Sequence, residues 1–308
     1  MVDDRSKETE YAVSSYRYLR LGMVILVITL GVSIAIERAR ASCWQGSISA
    51  YYYTPVHSLF VGALVSIGVT LVAMKGRNSL EDLFFNVAGV LAPLVALVPT
   101  SLPSVICSRQ GDELTPSTTG LVSNNVPALV VAVALTIVLA VVLSRVLRRD
   151  AAKPSLPAPS KIVLGVGAVL LVAGFVWYWA ANDHFVQYAH GSTAVAMFVF
   201  IWFAVLLNGG WPRQLWARMY QLMGEPVPTR PPNERQKKFR AWYRGVALFM
   251  FVGGLGVVLS APLGIEWEHK VFWLELLEIA PFATFWTLQT FEAGDDVVAD
   301  STSLAAAA

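Results

Sequence analysis

The chain has 308 residues, of which 56% are hydrophobic and only 14% are charged. A soluble domain carries about 25% charged residues, so this composition excludes an ordinary soluble protein and indicates an integral membrane protein. The formal net charge is +2. Because the basic residues flank apolar segments, they are typical of membrane topology signals, and we expect no nucleic-acid partner.

Eight apolar segments divide the chain, each close to the ~20 residues that a helix needs to cross a bilayer. Lipid offers no partners to backbone N–H and C=O groups, so spans must be helices or a closed barrel. The segments lack the apolar/polar alternation of barrel strands. We therefore predict an all-α, polytopic transmembrane helical bundle that forms a single membrane domain. The predicted spans are 21–37, 56–74, 83–100, 126–147, 162–181, 191–208, 245–263 and 271–291.

Lysine and arginine residues are distributed unequally between the two sides of the predicted bundle. Of the 23 in the chain, 19 lie on one side, and the exceptions are Arg38, Arg40, Arg109 and Lys270. The basic side of a membrane protein faces the cytoplasm. We expect both termini in the cytoplasm and the protein in a bacterial inner membrane, with a disordered tail over 293–308. In an alternative, span 1 is a signal peptide cleaved near Ala41, which leaves seven spans.

Both cysteines, Cys43 and Cys107, fall in predicted loops on the non-cytoplasmic side, a few residues after spans 1 and 3. A disulfide is the favoured state of two such cysteines in an oxidising compartment. We therefore predict that Cys43 and Cys107 are bonded and tie two outer loops together.

Every histidine of the chain also falls on the predicted non-cytoplasmic side, and this clustering suggests the hypothesis of a metal site. Zinc needs three or four ligands, and strong zinc signatures place two of them one helical turn apart. His184 and His190 are six residues apart, and no such signature is present. We expect no cofactor, and we keep a zinc site as the alternative. Its candidate ligands are His57, His184, His190 and His269.

Two glutamates, Glu275 and Glu278, lie inside span 8, three residues apart and therefore on one helix face. Ionisable residues within a membrane usually face the bundle interior, so we expect Glu275 to hydrogen-bond a polar group of span 2 or span 6. Hydroxyl and imidazole groups precede spans 2 and 6 at the same level. The sequence thus predicts a polar ligand-binding pocket at the outer face. Its predicted lining is Tyr53, His57, Asp183, His190, Glu275 and Glu278.

The loop between spans 6 and 7 has two features that indicate contact with lipid. Apolar residues recur at helical spacing from Trp211 to Met223, which predicts an amphipathic helix in the membrane interface. A basic run follows it, and each basic residue near an anionic leaflet contributes about 1 kcal/mol of binding free energy. We expect membrane lipids as partners, with anionic head groups at Arg235, Lys237, Lys238 and Arg240.

These features support three classes of function. The first is a protein that binds or moves a lipid or small amphiphile at its outer face. The second is a membrane-embedded lipid hydrolase, with or without zinc. The third is a non-catalytic accessory subunit of a membrane complex. The sequence leaves open whether the protein is an enzyme.

Four blocks of the chain resemble a group of uncharacterised bacterial multi-pass membrane proteins: Ser47–Gly62, Asn86–Thr100, His190–Phe200 and Phe272–Trp286. The serine- and tyrosine-rich segment before span 2 is loosely similar to the DRAM-type membrane proteins. The resemblance implies a polar outer pocket, although the bacterial group usually has an arginine where this chain has His57.

A more distant similarity is to the seven-span ceramidase/progestin-receptor class. The zinc site of that class uses a Ser-xxx-His pair on one helix and a His-xxx-His pair on the last. In this chain Tyr53 precedes His57 at the first position, and span 8 carries Glu275 and Glu278 at the second.

Overall fold

A computed structural model describes residues 2–114, 117–147, 158–227, 232–260, 262–265 and 267–306. These residues form α-helices, one short 3-10 helix (Ser49–Tyr53) and connecting loops, and the described ranges contain no strand. The α-helices are α1 (Val2–Ala41), α2 (His57–Ala73), α3 (Ser79–Leu97), α4 (Thr118–Leu147), α5 (Ala158–Ala180), α6 (Asn182–Gly209), α7 (Arg213–Leu222), α8 (Glu234–Ser260) and α9 (Lys270–Ala306).

The all-α fold class is confirmed, and each predicted span overlaps one of these helices. Six of them are long and apolar enough to cross a membrane, namely α1, α3, α4, α6, α8 and α9. The apolar parts of α2 and α5 are shorter, at His57–Ala73 and Leu164–Ala180.

The ends of α3 illustrate how local chemistry sets helix limits. This helix begins at Ser79, before the predicted start at residue 83, because the Asn78 side chain accepts a hydrogen bond from the Glu81 N–H at 3.0 Å and caps it. It ends at Leu97 because Val98, which precedes Pro99, takes an extended conformation.

Six helices form a closed ring in the order α1, α2, α3, α6, α8 and α9, with α9 packing back on α1. The remaining apolar helices, α4 and α5, lie outside this ring against α3 and α6. Aromatic side chains fill its interior, with Phe85 5.0 Å from Trp286 and Tyr243 5.5 Å from Phe285 between ring centroids. The centre of the bundle is therefore a packed core.

A close helix approach in the ring joins α2 to α3 at two glycines. A Cβ atom on Gly68 would lie 2.7 Å from the Gly89 carbonyl oxygen, and one on Gly89 would lie 2.7 Å from the Gly68 carbonyl oxygen. Small residues of this kind let helix backbones pack closely in membranes. Glycine at both positions thus fixes the spacing of α2 and α3.

An amphipathic helix is present where the sequence predicts one, as α7. Trp216 and Tyr220 are buried in the core of the bundle, and the Trp216 ring contacts Phe84 and Phe203. Leu222 on the same helix is 85% exposed. The helix thus packs one side on the bundle and keeps apolar side chains on its outer side.

The last helix, α9, continues to Ala306. Most of the segment 293–308, expected to be disordered, is therefore helical in the structure, and only residues 307 and 308 lie outside the described ranges.

Candidate functional site

The loops that contain the two cysteines fold together into one layer over the bundle, which we call the outer cap (residues 42–56 and 98–114). Cys43 and Cys107 form a disulfide with their Cα atoms 5.9 Å apart. The Gln45 side-chain amide donates to the Cys107 carbonyl at 2.9 Å. The backbone N–H of Phe272 donates to the Gly46 carbonyl at 3.1 Å, so the start of α9 also holds the cap.

Glu275 connects α9 to the outer cap. Its carboxylate accepts hydrogen bonds from the backbone N–H groups of Ile48 and Ser49, the latter at 3.2 Å, and from the Ser49 hydroxyl at 2.6 Å. The side chain faces the protein, as expected, but the expectation of a partner on span 2 or span 6 was wrong. The turn that begins the 3-10 helix presents two adjacent N–H groups, and both donate to this carboxylate.

Glu278 does not share the environment of Glu275. Its carboxyl oxygen lies 3.3 Å from the position that a Cβ atom on Gly254 would occupy, so it faces α8. The described residues include no hydrogen-bond donor to this carboxyl group. The two glutamates thus lie on one side of α9 but contact different elements.

Tyr53 and His57 are both held by backbone carbonyl groups. The Tyr53 hydroxyl donates to the Thr100 carbonyl at 2.5 Å, and burial, with a smaller contribution from Tyr52, raises the pKa of Tyr53 to about 12. The hydroxyl therefore stays protonated and can donate at neutral pH. The His57 Nδ1 atom hydrogen-bonds the Tyr52 carbonyl at 2.8 Å, and its ring packs on the Tyr52 ring at 4.2 Å between centroids.

The other histidines lie apart from one another and do not converge. The buried His190 hydrogen-bonds the Val98 carbonyl through Nδ1 at 2.7 Å, while His269 hydrogen-bonds the Gln45 carbonyl at 3.1 Å. His184 is exposed and accepts from the Trp177 indole N–H at 3.1 Å. Asp183 is exposed in the first turn of α6. Within the described ranges, no three His, Cys, Asp or Glu side chains are grouped to hold a metal ion.

A groove of about 190 Å³ lies beside the cap, between α1 and α9. Trp44, Ile48 and Phe272 form its upper part, next to the contacts of Glu275. Gly31 and Ala280 line it and are exposed, so it opens to the outside of the bundle. None of the six predicted ligand-binding residues lines this groove.

A positive charge lies next to the groove. The Arg38 guanidinium stacks over the Trp44 ring, 5.2 Å from its centroid, and the Arg38 Nε atom has no hydrogen-bond partner in the described part of the chain. The neighbouring carboxylate, Glu37, accepts from the Ser108 hydroxyl at 2.9 Å instead. An apolar groove with an aromatic ring and a cation beside it suits an amphiphile with an anionic head.

The opposite end of the bundle contains a buried polar network that the sequence does not predict. The Glu81 side chain is fully buried. One of its oxygens accepts from the side-chain amides of Asn208 at 2.7 Å and Gln289 at 2.8 Å. The other accepts from the Arg77 backbone N–H at 2.6 Å. The network therefore connects α3, α6 and α9.

A second part of this network adds α1 and α8. Arg77 forms an ion pair with Glu292 at 2.6 Å, and the Tyr243 hydroxyl donates to the same carboxylate oxygen at 2.6 Å. The buried Arg20 donates to the Gln289 carbonyl at 3.2 Å. In the sequence, these charged residues flank apolar segments and look like topology signals. The sequence therefore does not reveal that they pair with one another across the bundle.

No known protein family, curated protein or solved structure matches the chain. The resemblance of the four sequence blocks to bacterial multi-pass proteins therefore stays a prediction.

Proposed function

We propose that this chain is an eight-span protein of a bacterial inner membrane, with both termini in the cytoplasm. The eight apolar helices, two of them short, supply the spans. The unequal distribution of lysine and arginine supports the orientation. In this orientation the outer cap faces the non-cytoplasmic side, where its disulfide is chemically stable.

We propose further that the protein binds a lipid or a related amphiphile of the outer leaflet, with its apolar chain in the groove between α1 and α9. The observation that carries the proposal is the groove itself, about 190 Å³ in volume, apolar, and open to the side where lipid would lie. A packed core closes the centre of the ring, so the groove is the more accessible place for an acyl chain.

Arg38 and Trp44 favour an anionic head group for this amphiphile. The Arg38 side chain takes no part in the hydrogen bonds described for the cap. It lies over the Trp44 ring, which lines the groove. A phosphate or carboxylate there would form a charge-assisted hydrogen bond with the guanidinium, a stronger bond than one between neutral groups. The indole would cover the first part of the chain.

Two glycines of α1 provide a matched test of the groove. A Cβ atom on Gly31, which lines the groove, or on Gly22, which does not, would meet nothing within 4 Å. Gly31→Phe should fill the groove, whereas Gly22→Phe adds the same ring elsewhere on the helix. Purified protein would be illuminated with a diazirine-bearing phosphatidic acid, and the labelled peptides would be identified by mass spectrometry.

We expect the wild type and Gly22→Phe to be labelled on α1 and α9 near the groove, and Gly31→Phe to lose most of this labelling. A phosphatidylcholine probe should label the same peptides more weakly if the anionic head matters. Equal labelling of Gly31→Phe and wild type, with both proteins folded to the same melting temperature, would contradict the proposal.

A non-catalytic subunit is the second candidate function, and α4 favours it. Almost none of the apolar window of α4 is buried in the monomer, in contrast to α3, of which most is buried. Such a helix offers a face for a partner subunit as well as for lipid. Comigration of the protein with a defined partner after mild solubilisation, lost when Leu135 and Leu139 are changed to bulky Trp, would support this role.

A further inference from the structure

Three arginines at the end of the bundle opposite the cap lie around one backbone turn. The turn is Gly209–Gly210, where α6 ends, and Gly210 has a φ of +67°. The Arg244 Nε atom donates to the Gly209 carbonyl at 2.8 Å. The Arg240 Nη1 atom lies 3.4 Å from the position that a Cβ atom on Gly210 would occupy. Arg213 begins α7 three residues later and interacts electrostatically with Arg240.

The positive charge of this cluster is not neutralised by neighbouring side chains. Arg240 and Arg244 are four residues apart on α8, where like charges destabilise a helix. Among the described residues, none of the three arginines forms a salt bridge. The carboxylate that interacts electrostatically with Arg240 is Glu292, which is already paired with Arg77 and Tyr243.

Some compensation comes from the carbonyl groups at the end of α6, which carry a partial negative charge. This partial charge is smaller than one carboxylate, so three cations around the turn leave a position at which an anion would be stabilised.

Exposed indole rings mark the level of this cluster in the membrane. Trp211 is 62% exposed and Trp242 is 65% exposed, and each is within two residues of an arginine of the cluster. Tryptophan is enriched at the boundary between hydrocarbon and head groups. The anion that meets the cluster at this level is therefore part of a lipid head group.

We propose that Arg213, Arg240 and Arg244 form a binding site for the phosphate of an anionic phospholipid in the leaflet at this end of the bundle. The site shares only Arg240 with the head-group contacts predicted from the sequence, and it does not depend on the groove between α1 and α9. Its ligand chemistry is a phosphate monoester or diester oxyanion bound by guanidinium groups, which suit phosphate geometry.

The test compares variants of the cluster with a control outside it. Arg240→Gln/Arg244→Gln changes the cluster, and the control Arg218→Gln changes another exposed arginine of α7, the helix that begins with Arg213. Native mass spectrometry would count bound dioleoylphosphatidylglycerol on the purified full chain, with dioleoylphosphatidylcholine and inorganic phosphate as the other probes. The single variant Arg213→Gln, at an exposed position, keeps the test valid if loss of the Arg244 bond impairs folding.

We expect phosphatidylglycerol to bind the wild type and Arg218→Gln with similar affinity. The cluster variants should bind it about fivefold more weakly for each arginine removed, which corresponds to about 1 kcal/mol per residue. Equal weakening by Arg218→Gln and Arg213→Gln would overturn the site in favour of diffuse attraction by all basic residues. Binding of inorganic phosphate as tight as that of the lipid would overturn the lipid as its ligand.

Discussion

Glu275 holds the outer cap on α9 through three hydrogen bonds that converge on one carboxylate. In Glu275→Gln, the side-chain NH₂ group would face an N–H or O–H donor, and at least one of these bonds would be lost. An unsatisfied buried polar group costs about 1–3 kcal/mol, so we expect the free energy of unfolding to fall by about that amount. Thermal unfolding in detergent measures the change.

Glu278→Gln is the control for this variant, because Glu278 is on the same helix and has no hydrogen-bond donor within the described residues. Its melting temperature should stay within about a degree of that of the wild type. If both variants lose the same stability, the hydrogen bonds to the cap are not the cause.

The ion pair between Arg77 and Glu292 allows a double-variant test of the polar network. Their side chains are 35% and 7% exposed. Removing one partner of a fully buried pair costs about 3–5 kcal/mol, and the exposure of Arg77 lowers our expectation to about 2 kcal/mol for Arg77→Met. Arg77→Met/Glu292→Gln should lose less than the sum of the two single losses. Additive losses would show that the two residues are not coupled.

At the scale of residues, the sequence predicts burial better than it predicts partners. An intramembrane carboxylate such as Glu275 is costly to expose to lipid, so its inward orientation follows from composition and position. Its partners follow from the path of a loop 226 residues earlier in the chain, which no local pattern encodes. For the same reason, the sequence does not predict the contact of Glu81 with Asn208 and Gln289.

At the scale of elements, the contact of α2 with α3 depends on two glycines. Gly68→Ala or Gly89→Ala would place a Cβ atom 2.7 Å from a backbone oxygen, which cannot move without its helix. Overpacking of this kind costs about 1–3 kcal/mol, and thermal unfolding should detect it.

Gly62→Ala, in the same helix α2, is the matched control, since a Cβ atom there meets nothing within 4 Å. Replacing glycine by alanine inside a helix stabilises it by up to about 1 kcal/mol, so this variant should melt at or above the wild-type temperature. Equal destabilisation at Gly62 and Gly68 would contradict a role for close helix packing.

Helical elements were largely predictable from apolar runs because bilayer thickness fixes the length of a span. Which side of each helix faces the protein core and which side faces outward was less predictable. Trp216 and Tyr220 of α7 have the pattern of an interfacial helix, yet they are buried in the core of the bundle. Apolar residues that face lipid and those that face protein have the same composition, so only the packed structure separates them.

At the scale of the whole molecule, the orientation predicted from lysine and arginine can be tested with two engineered cysteines. Gln110 lies in the outer cap and Gln221 in α7, and both are exposed. A membrane-impermeant maleimide should label Gln110→Cys in intact cells and label Gln221→Cys only after the membrane is opened. Labelling of Gln221→Cys in intact cells would show that the orientation is opposite to the predicted one.

The most direct test of the proposed function is an electron cryomicroscopy map of the protein in nanodiscs made from native lipid. We expect an elongated density between α1 and α9, against Gly31 and Leu276, with a head group near Arg38 and Trp44. This density should be stronger than that of the lipid around the exposed helix α4. A groove closed by its own side chains, or lipid density no stronger there than beside α4, would contradict a lipid-binding role.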